Sequence, residues 1–173
     1  MATALADERG GGSRLTAAKA LALLIPAALL AGAYGSQYVG GLAPCEMCYW
    51  QRYAHWAGLV FALAAFGAGR LPDRGRSFVW LAALGILVSG AIGFYHAGVE
   101  LDYFEGFTEC TASFGGGSTA DLLNKILAAP VVRCDQVQWS FLGVSMAGWN
   151  AILSTLGALT VLWLSLSRPR ATE

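Results

Sequence analysis

The chain of 173 residues has few charged residues. Asp, Glu, Lys and Arg make up 13% of it, about half of the roughly 25% that soluble domains carry. A soluble domain of this size needs a polar surface that so few residues cannot provide, and disorder requires still more charge and less hydrophobicity. The formal net charge is zero, whereas nucleic-acid-binding chains carry a basic excess. The composition therefore argues against a soluble domain, a disordered chain and nucleic-acid binding.

Long apolar runs take the place of the missing charges. Hydrophobic residues make up 56% of the chain, and four stretches reach the roughly 20 residues that a membrane span needs. They cover about residues 17–38, 49–69, 77–98 and 141–166. Apolar runs of this length predict membrane helices. We therefore expect an all-α membrane protein, a single domain over residues 1–173 that forms a bundle of four transmembrane helices in the lipid bilayer.

The basic residues predict how the chain crosses the membrane. With four spans, both termini and the loop 70–76 share one side, which carries eight Lys or Arg and four Asp or Glu. The opposite side carries three basic and seven acidic residues. Because Lys and Arg are enriched in cytoplasmic loops, we expect both termini in the cytoplasm. The loops over about 39–48 and 99–140 then lie on the outer, periplasmic face.

The second outer loop is too long to be a simple connection. Glycines at positions 115–117 predict a flexible hinge. Ser118 and Asp121 have the spacing of a capping box at a helix start, and Pro130 ends the following apolar segment. We expect a short amphipathic helix here, either on the membrane surface or packed against the other loop.

All four cysteines lie in or beside the predicted outer loops, at Cys45, Cys48, Cys110 and Cys134. An even number of cysteines on the oxidising side of a membrane predicts disulfides. Structural disulfides, a zinc site and two redox pairs are the three interpretations. Zinc sites usually have two closely spaced couples, which Cys110 and Cys134 do not form. A structural bridge across two residues would constrain little, so the pattern favours redox chemistry and no metal is expected.

The first two cysteines form a C-x-x-C motif that follows Pro44 and enters the second predicted span. Cys45 and Cys48 would lie at or just before a helix N-terminus, where the helix dipole stabilises a thiolate. Arg52 follows Cys48 by one turn, so both lie on one helix face. We expect Arg52 either to support a negative charge at this thiolate or to extend to the membrane interface as an ordinary cation.

These motifs resemble those of the disulfide bond formation protein B (DsbB) family. The resemblance rests on the segments Pro44-Cys-Glu-Met-Cys-Tyr-Trp-Gln-Arg52 and Cys134-Asp-Gln-Val-Gln-Trp-Ser-Phe-Leu-Gly143, together with Cys110 and Met146. It covers the four spans and both outer loops. It implies an enzyme of the bacterial inner membrane that reoxidises a periplasmic dithiol oxidase of the DsbA type. The electrons would pass to a membrane quinone, either ubiquinone or menaquinone.

The resemblance also implies roles for the cysteines. Cys110 and Cys134 would form the loop disulfide, and the partner's thiolate would attack it at Cys110. The electrons would then move to the pair Cys45–Cys48. Cys48 would be the sulfur that faces the quinone, with Arg52 supporting the quinone beside it.

Other residues match the family's quinone region. His96 matches a histidine at the outer end of the third span, where it would donate a hydrogen bond or a proton to a reduced quinone; an interfacial histidine without a role is the alternative. Met146, like Trp139 and Trp149, matches a segment that approaches the quinone, and packing is the alternative for each. The chain departs from the family at Gln51, where an acid is common.

Two other functions fit parts of the pattern. A quinone-linked thiol enzyme resembling vitamin K epoxide reductase also has four helices. That family has its loop pair before the C-x-x-C motif, which is the reverse of the order in this chain. A non-enzymatic membrane protein with structural disulfides is the second alternative, and its disulfides would resist mild reduction. The expected function is that of a protein-disulfide oxidoreductase.

Overall fold

Four long α-helices dominate the computed structural model, which describes residues 2–105, 118–120 and 132–166 and the side chains from residue 12 onward. The helices are α1 (Ala2–Tyr38), α2 (Glu46–Gly67), α3 (Arg76–Glu100) and α4 (Met146–Leu166). A short 3₁₀ helix, Ala68–Arg70, follows α2. A hairpin of two short antiparallel strands, β1 (Ser140–Phe141) and β2 (Val144–Ser145), precedes α4.

Three of the described helices are long and apolar enough to cross a membrane. These segments are Gly12–Tyr38 within α1, all of α3 and all of α4. Large apolar side chains such as Leu24 and Leu156 are exposed on the outside of the bundle. Apolar side chains on an outer surface suit lipid tails better than water. The prediction of a helical membrane protein is therefore confirmed, while the number of four spans stays a prediction.

The helix α2 is not among the three candidate spans, although it has 22 residues. The N-terminal half of α2, its outer half in the predicted topology, contains Gln51, Arg52 and His55, which lower the mean hydropathy of the helix. These three side chains are buried in the bundle, whereas Val60 in the C-terminal, inner half is exposed. The predicted crossing over about 49–69 stays a prediction.

The helix α3 packs against α2 on one side and α4 on the other, and α1 closes the bundle by contacting α2 and α4. Glycines allow these helices to approach closely. A Cβ on Gly85 would lie 2.9 Å from the backbone nitrogen of Gly58 in α2. A Cβ on Gly93 would lie 3.0 Å from the carbonyl oxygen of Ala147 in α4. Close approach through small residues is typical of membrane helix pairs, and it brings polar side chains on three helices within hydrogen-bonding reach.

The β-hairpin begins where the sequence predicts the fourth span. Leu142 and Gly143 have φ angles of 53° and 76°, the left-handed pair that a two-residue hairpin turn requires. The helix α4 consequently begins at Met146 rather than near residue 141. The backbone N–H of Met146 donates to the carbonyl oxygen of Trp139 at 3.3 Å, so the hairpin holds both residues at the start of α4.

The second outer loop is described only in part. Cys110 and the glycines at 115–117 lie outside the described residues. The predicted amphipathic helix also lies outside them, except for residues 118–120. Cys134 lies within the described part of this loop, just before the hairpin.

Candidate active site

Cys45 and Cys48 lie at the first turn of α2, as the motif predicts. Cys45 is the N-cap residue, and its sulfur accepts a hydrogen bond from the backbone N–H of Cys48 at 3.3 Å. N-caps usually use the oxygen of Ser, Thr, Asp or Asn. A cysteine here places its sulfur beside the positive end of the helix dipole. The two sulfur atoms lie 2.9 Å apart, so the motif forms a closely paired dithiol at a helix N-terminus.

The second outer loop brings Cys134 against this pair. Cys45, Met47, Val99 and Cys134 form a buried cluster, in which both cysteines are 3% exposed. The thiols of Cys134 and Cys45 are hydrogen-bonded. Residues from both predicted outer loops therefore place their sulfur atoms in contact.

The surroundings of Cys45 make the dithiol asymmetric. Hydrogen bonds with Cys134 and Cys48, together with burial, raise the pKa of the Cys45 thiol well above its ordinary value. Cys45 therefore stays protonated and donates its S–H toward the sulfur of Cys48. Cys48, which is less buried, is the member of the pair that is placed to carry negative charge.

His96 lies against the same sulfur. Its Nε2 atom is 3.6 Å from the Sγ atom of Cys45, and its Nδ1 atom is 2.9 Å from the amide nitrogen of Gln51. Glu100, one turn further along α3, places Oε1 3.9 Å from Nε2 of His96. Neither Gln51 nor Glu100 is a predicted site residue. The four-residue spacing of His96 and Glu100 on one helix is the signal that could have identified Glu100.

A chain of buried polar side chains continues from Gln51 into the bundle. The Nδ2 atom of Asn150 lies 2.8 Å from Oε1 of Gln51 and 3.1 Å from the carbonyl oxygen of Ser89. The Oδ1 atom of Asn150 lies 2.9 Å from Nε2 of His55. These contacts join α2, α3 and α4 in one network that reaches His96. Neither Asn150 nor His55 is a site residue in the sequence analysis, because single polar residues in apolar helices do not reveal which neighbours they meet.

Arg52 is held by α1. It donates hydrogen bonds to the side-chain oxygen of Gln37 and, at 3.0 Å, to the carbonyl oxygen of Ala33. Its guanidinium lies over the rings of Tyr34 and Tyr49, 4.8 and 5.6 Å from their centres. Its Nε atom is buried and has no hydrogen-bond partner among the described side chains and backbone. A buried cation with an unused donor is suited to hold a polar or anionic ligand.

A cavity of about 560 Å³ lies at the end of the bundle where α2 and α4 begin. Its polar groups include Cys45, Cys48, Arg52, His96 and Asn150. Its apolar wall comes from α1 and from the segment around the hairpin, and includes Leu29, Leu30, Ala33, Leu42, Trp139, Met146 and Trp149. Cavities of roughly 300–1,000 Å³ with mostly apolar walls and a few convergent polar groups are typical of small-molecule sites.

All the predicted site residues within the described part of the chain except Cys134 meet at this cavity. Cys45, Cys48, Arg52, His96 and Met146 line it. The hydroxyl of Ser36 lies 3.7 Å from the sulfur of Met146, which ties α1 to the start of α4. The roles that the sequence analysis gives to these residues stay predictions.

The same site offers part of a metal-binding set. The ligand atoms of Cys45, Cys48 and His96 lie within 4.8 Å of one another. Structural zinc takes four ligands, and this group provides three within the described ranges. The expectation that no metal binds here stays a prediction.

The fold and the site define a helical membrane protein with a cysteine pair at one end of its helix bundle. Known proteins of this class are similar to this chain in sequence. The family model described as disulfide bond formation protein DsbB matches residues 15–164. Disulfide bond formation protein B of Aromatoleum aromaticum is 36% identical over 129 residues, which are 71% of this chain and 75% of that protein. The protein of the same name from Azoarcus sp. is 33% identical over 149 residues, 82% of this chain and 87% of its own length.

A further relative, disulfide bond formation protein B 2 of Pseudomonas aeruginosa, is 33% identical over 142 residues, 79% of this chain and 81% of its own length. No solved structure matches significantly. The chain belongs to the DsbB family, and the resemblance stated from its sequence is thereby confirmed.

Alkylation of the reduced protein tests the asymmetry of the dithiol. Thiolates react with iodoacetamide and thiols do not, so we expect Cys48 to be modified much faster than Cys45 at about pH 8, near the ordinary thiol pKa. The variant Cys134→Ala removes the hydrogen bond that most raises the pKa of Cys45 and should accelerate its modification. Peptide mass spectrometry after acid quenching measures both rates. Denatured protein is the control, and equal rates in the folded protein would contradict the asymmetry.

Proposed function

We propose that this chain is a quinone-dependent thiol oxidase of the bacterial inner membrane, which reoxidises a periplasmic dithiol oxidase of the DsbA type. The observation that carries the proposal is the contact between Cys134 and Cys45 at a helix N-terminus, beside a ligand-sized cavity. Membership of the DsbB family supports an activity in disulfide bond formation. An electron relay requires sulfurs from different pairs to meet, whereas structural disulfides do not.

The proposed topology has four membrane crossings, with α2 as the second. The inner half of α2 exposes Val60, Leu63 and Phe66, as a lipid-facing helix would. Its buried polar residues lie at the outer half and contact other helices rather than lipid. The excess of Lys and Arg on the side of the termini supports their proposed position in the cytoplasm.

The proposed reaction begins at a disulfide between Cys110 and Cys134. The thiolate of the reduced partner attacks Cys110 and forms a mixed disulfide with it. The bond between Cys110 and Cys134 breaks, and Cys134 leaves with the electron pair as a thiolate. The partner is then joined covalently to the second outer loop.

Cys134 next attacks Cys45 in a disulfide between Cys45 and Cys48. The observed contact between Cys134 and Cys45 supports this choice of target. A bond between Cys134 and Cys45 forms, the bond between Cys45 and Cys48 breaks, and Cys48 leaves with the electron pair. The positive charge of Arg52, one turn along the helix, favours a thiolate at Cys48.

Two further exchanges complete the transfer. The partner's second thiolate attacks its own sulfur in the mixed disulfide, so the partner is released oxidised and Cys110 leaves as a thiolate. Cys110 then attacks Cys134, restores the loop disulfide and expels Cys45 as a thiolate. The two electrons of the partner now reside on Cys45 and Cys48. The two protons that the partner's thiols lose are available for the final acceptor.

The residues around the cavity fit a membrane quinone, either ubiquinone or menaquinone. When bound, a quinone supplies an acceptor for two electrons and two protons. The guanidinium of Arg52 would hold a ring oxygen, and Cys48 lines the same cavity. Met146 and the apolar residues of α1 would contact the ring and tail, and His96 completes the polar wall.

Replacement of Cys48 by serine tests the order of the relay. We expect Cys48→Ser to reduce the rate of quinone reduction to background, because the pair Cys45–Cys48 can no longer form a disulfide. The mixed disulfide with the partner at Cys110 should still form. Anaerobic mixing with reduced partner and a short-chain quinone, followed by quinone absorbance and by non-reducing electrophoresis, measures both steps.

The matched control is Ala57→Ser, which adds a hydroxyl on an exposed face of the same helix and should react at the normal rate. Normal turnover of Cys48→Ser would exclude the proposed relay.

Replacement of Arg52 tests the proposed quinone site. A hydrogen bond to a charged group contributes about 1.5–3 kcal/mol, so Arg52→Ala should raise the KM for quinone roughly tenfold or more. The KM for the protein partner should change much less. Arg52→Lys keeps the charge but loses the planar set of donors, and an intermediate KM is expected. Steady-state rates at varied quinone and partner concentrations measure these values, and equal increases in both KM values would indicate a merely structural role.

A further inference from the structure

A backbone carbonyl group fixes which atoms donate and which accept in the polar network of Asn150, Gln51, His55 and His96. The carbonyl oxygen of Ser89 can only accept a hydrogen bond, and it lies 3.1 Å from one end of the Asn150 amide. That end must therefore be the nitrogen Nδ2, which donates. The opposite end, Oδ1, faces Nε2 of His55 at 2.9 Å, so His55 carries a proton on Nε2.

The same constraint passes from Asn150 to Gln51 and then to His96. Nδ2 of Asn150 also donates to Gln51 at 2.8 Å, which fixes the atom of Gln51 that faces it as the oxygen Oε1. Gln51 therefore presents its amide nitrogen to Nδ1 of His96 at 2.9 Å. Because an amide N–H can only donate, Nδ1 accepts and has no proton of its own. A neutral imidazole in this state carries its hydrogen on Nε2.

Glu100 lies beside the same nitrogen. Its Oε1 atom lies 3.9 Å from Nε2 of His96, and both side chains are buried. An ionised carboxylate here would repel an unprotonated Nε2, because both would present lone pairs to each other. A hydrogen on Nε2 removes that repulsion. The Sγ atom of Cys45, at 3.6 Å from Nε2, lies within hydrogen-bonding distance for sulfur.

We propose that Gln51 and Asn150 are positioning residues that fix His96 as a hydrogen-bond donor to the sulfur of Cys45. The inference rests on the proposed role of Cys45 in disulfide exchange. When Cys110 attacks Cys134, the bond between Cys134 and Cys45 breaks and the electron pair goes to Cys45. The N–H of His96 then stabilises the leaving thiolate without proton transfer. A more stable leaving thiolate leaves faster.

The proposal explains why an amide, rather than an acid, suits position 51 in this chain. An amide donates to Nδ1 of His96 and accepts from Asn150 at the same time. A carboxylate at the same position would only accept. Nδ1 would then have to carry a proton, and the neutral ring would present an unprotonated Nε2 to Cys45. Gln51→Glu therefore inverts the direction of the network with little change of volume.

Nitrogen NMR of the histidine rings tests the proposed tautomer. The chain has two histidines, so selective ¹⁵N-histidine labelling of the full chain in detergent gives two ring systems, and His55→Phe assigns them. In the unaltered protein at neutral pH we expect His96 to show a protonated Nε2 and an unprotonated Nδ1. Gln51→Glu should move the proton from Nε2 to Nδ1. Asn150→Leu should give a mixture of the two tautomers, since the amide of Gln51 is no longer oriented.

The matched control is Ser154→Ala. Ser154 donates to the acceptor oxygen of Asn150 and is no part of the path to His96, so the His96 signals should not change. A protonated Nδ1 in the unaltered protein, or an unchanged Nδ1 in Gln51→Glu, would overturn the proposal. The measurement needs neither partner nor quinone, so its failure would be distinguishable from a failure of the proposed oxidase activity.

The pH profile of Cys45 alkylation tests whether the N–H of His96 stabilises the Cys45 thiolate. In a Cys134→Ala background, Cys45 loses its hydrogen bond with position 134. Adding Gln51→Glu or Asn150→Leu to that background should move the midpoint of Cys45 alkylation up by about one pH unit, which reduces the rate about tenfold well below the midpoint and about fivefold at the original midpoint. Adding Ser154→Ala should leave the profile unchanged. An identical profile for all four proteins would show that His96 does not stabilise the Cys45 thiolate.

Discussion

Buried hydrogen bonds among α2, α3 and α4 are the interaction on which the candidate site depends. A membrane interior offers no water to satisfy polar groups, so each one must find a partner inside the protein. Asn150 provides this link, since its amide contacts Ser89, Gln51 and His55. Glycines at the helix crossings make the link possible: Gly93 lies directly against Asn150, and a Cβ there would be 2.9 Å from its amide nitrogen.

At the candidate site, this hydrogen-bond network lies beside the second outer loop, which contributes the thiol of Cys134. Cys45 contacts both, because it lies against His96 of the network and Cys134 of the loop, as well as Cys48. Its position as the helix N-cap fixes its sulfur, and its neighbours decide whether it donates or accepts. The cavity beside Cys48 and Arg52 is where the proposed electron acceptor would bind. One side of the dithiol thus faces protein sulfur, and the other faces a ligand-sized space.

The sequence predicted the parts of the site that depend on local spacing. The C-x-x-C motif after Pro44 placed Cys45 and Cys48 at a helix start, and one helical turn placed Arg52 near Cys48. Contacts between distant segments, such as that of Asn150 with Gln51, depend on how closely two helices cross, and no local pattern encodes this distance. The same limit applied to α4, which begins after a hairpin turn that the apolar run around Leu142 concealed.

In the proposed relay, Cys134 exchanges with Cys45 rather than with Cys48. The double variant Cys48→Ser with Cys110→Ser leaves only Cys45 and Cys134 to pair, and Cys45→Ser with Cys110→Ser leaves only Cys48 and Cys134. Mild air oxidation followed by non-reducing mass spectrometry measures which disulfide forms. We expect Cys45 and Cys134 to join rapidly and nearly completely, whereas Cys48 and Cys134 join slowly. A faster reaction of Cys48 with Cys134, or no disulfide in the first variant, would exclude this exchange.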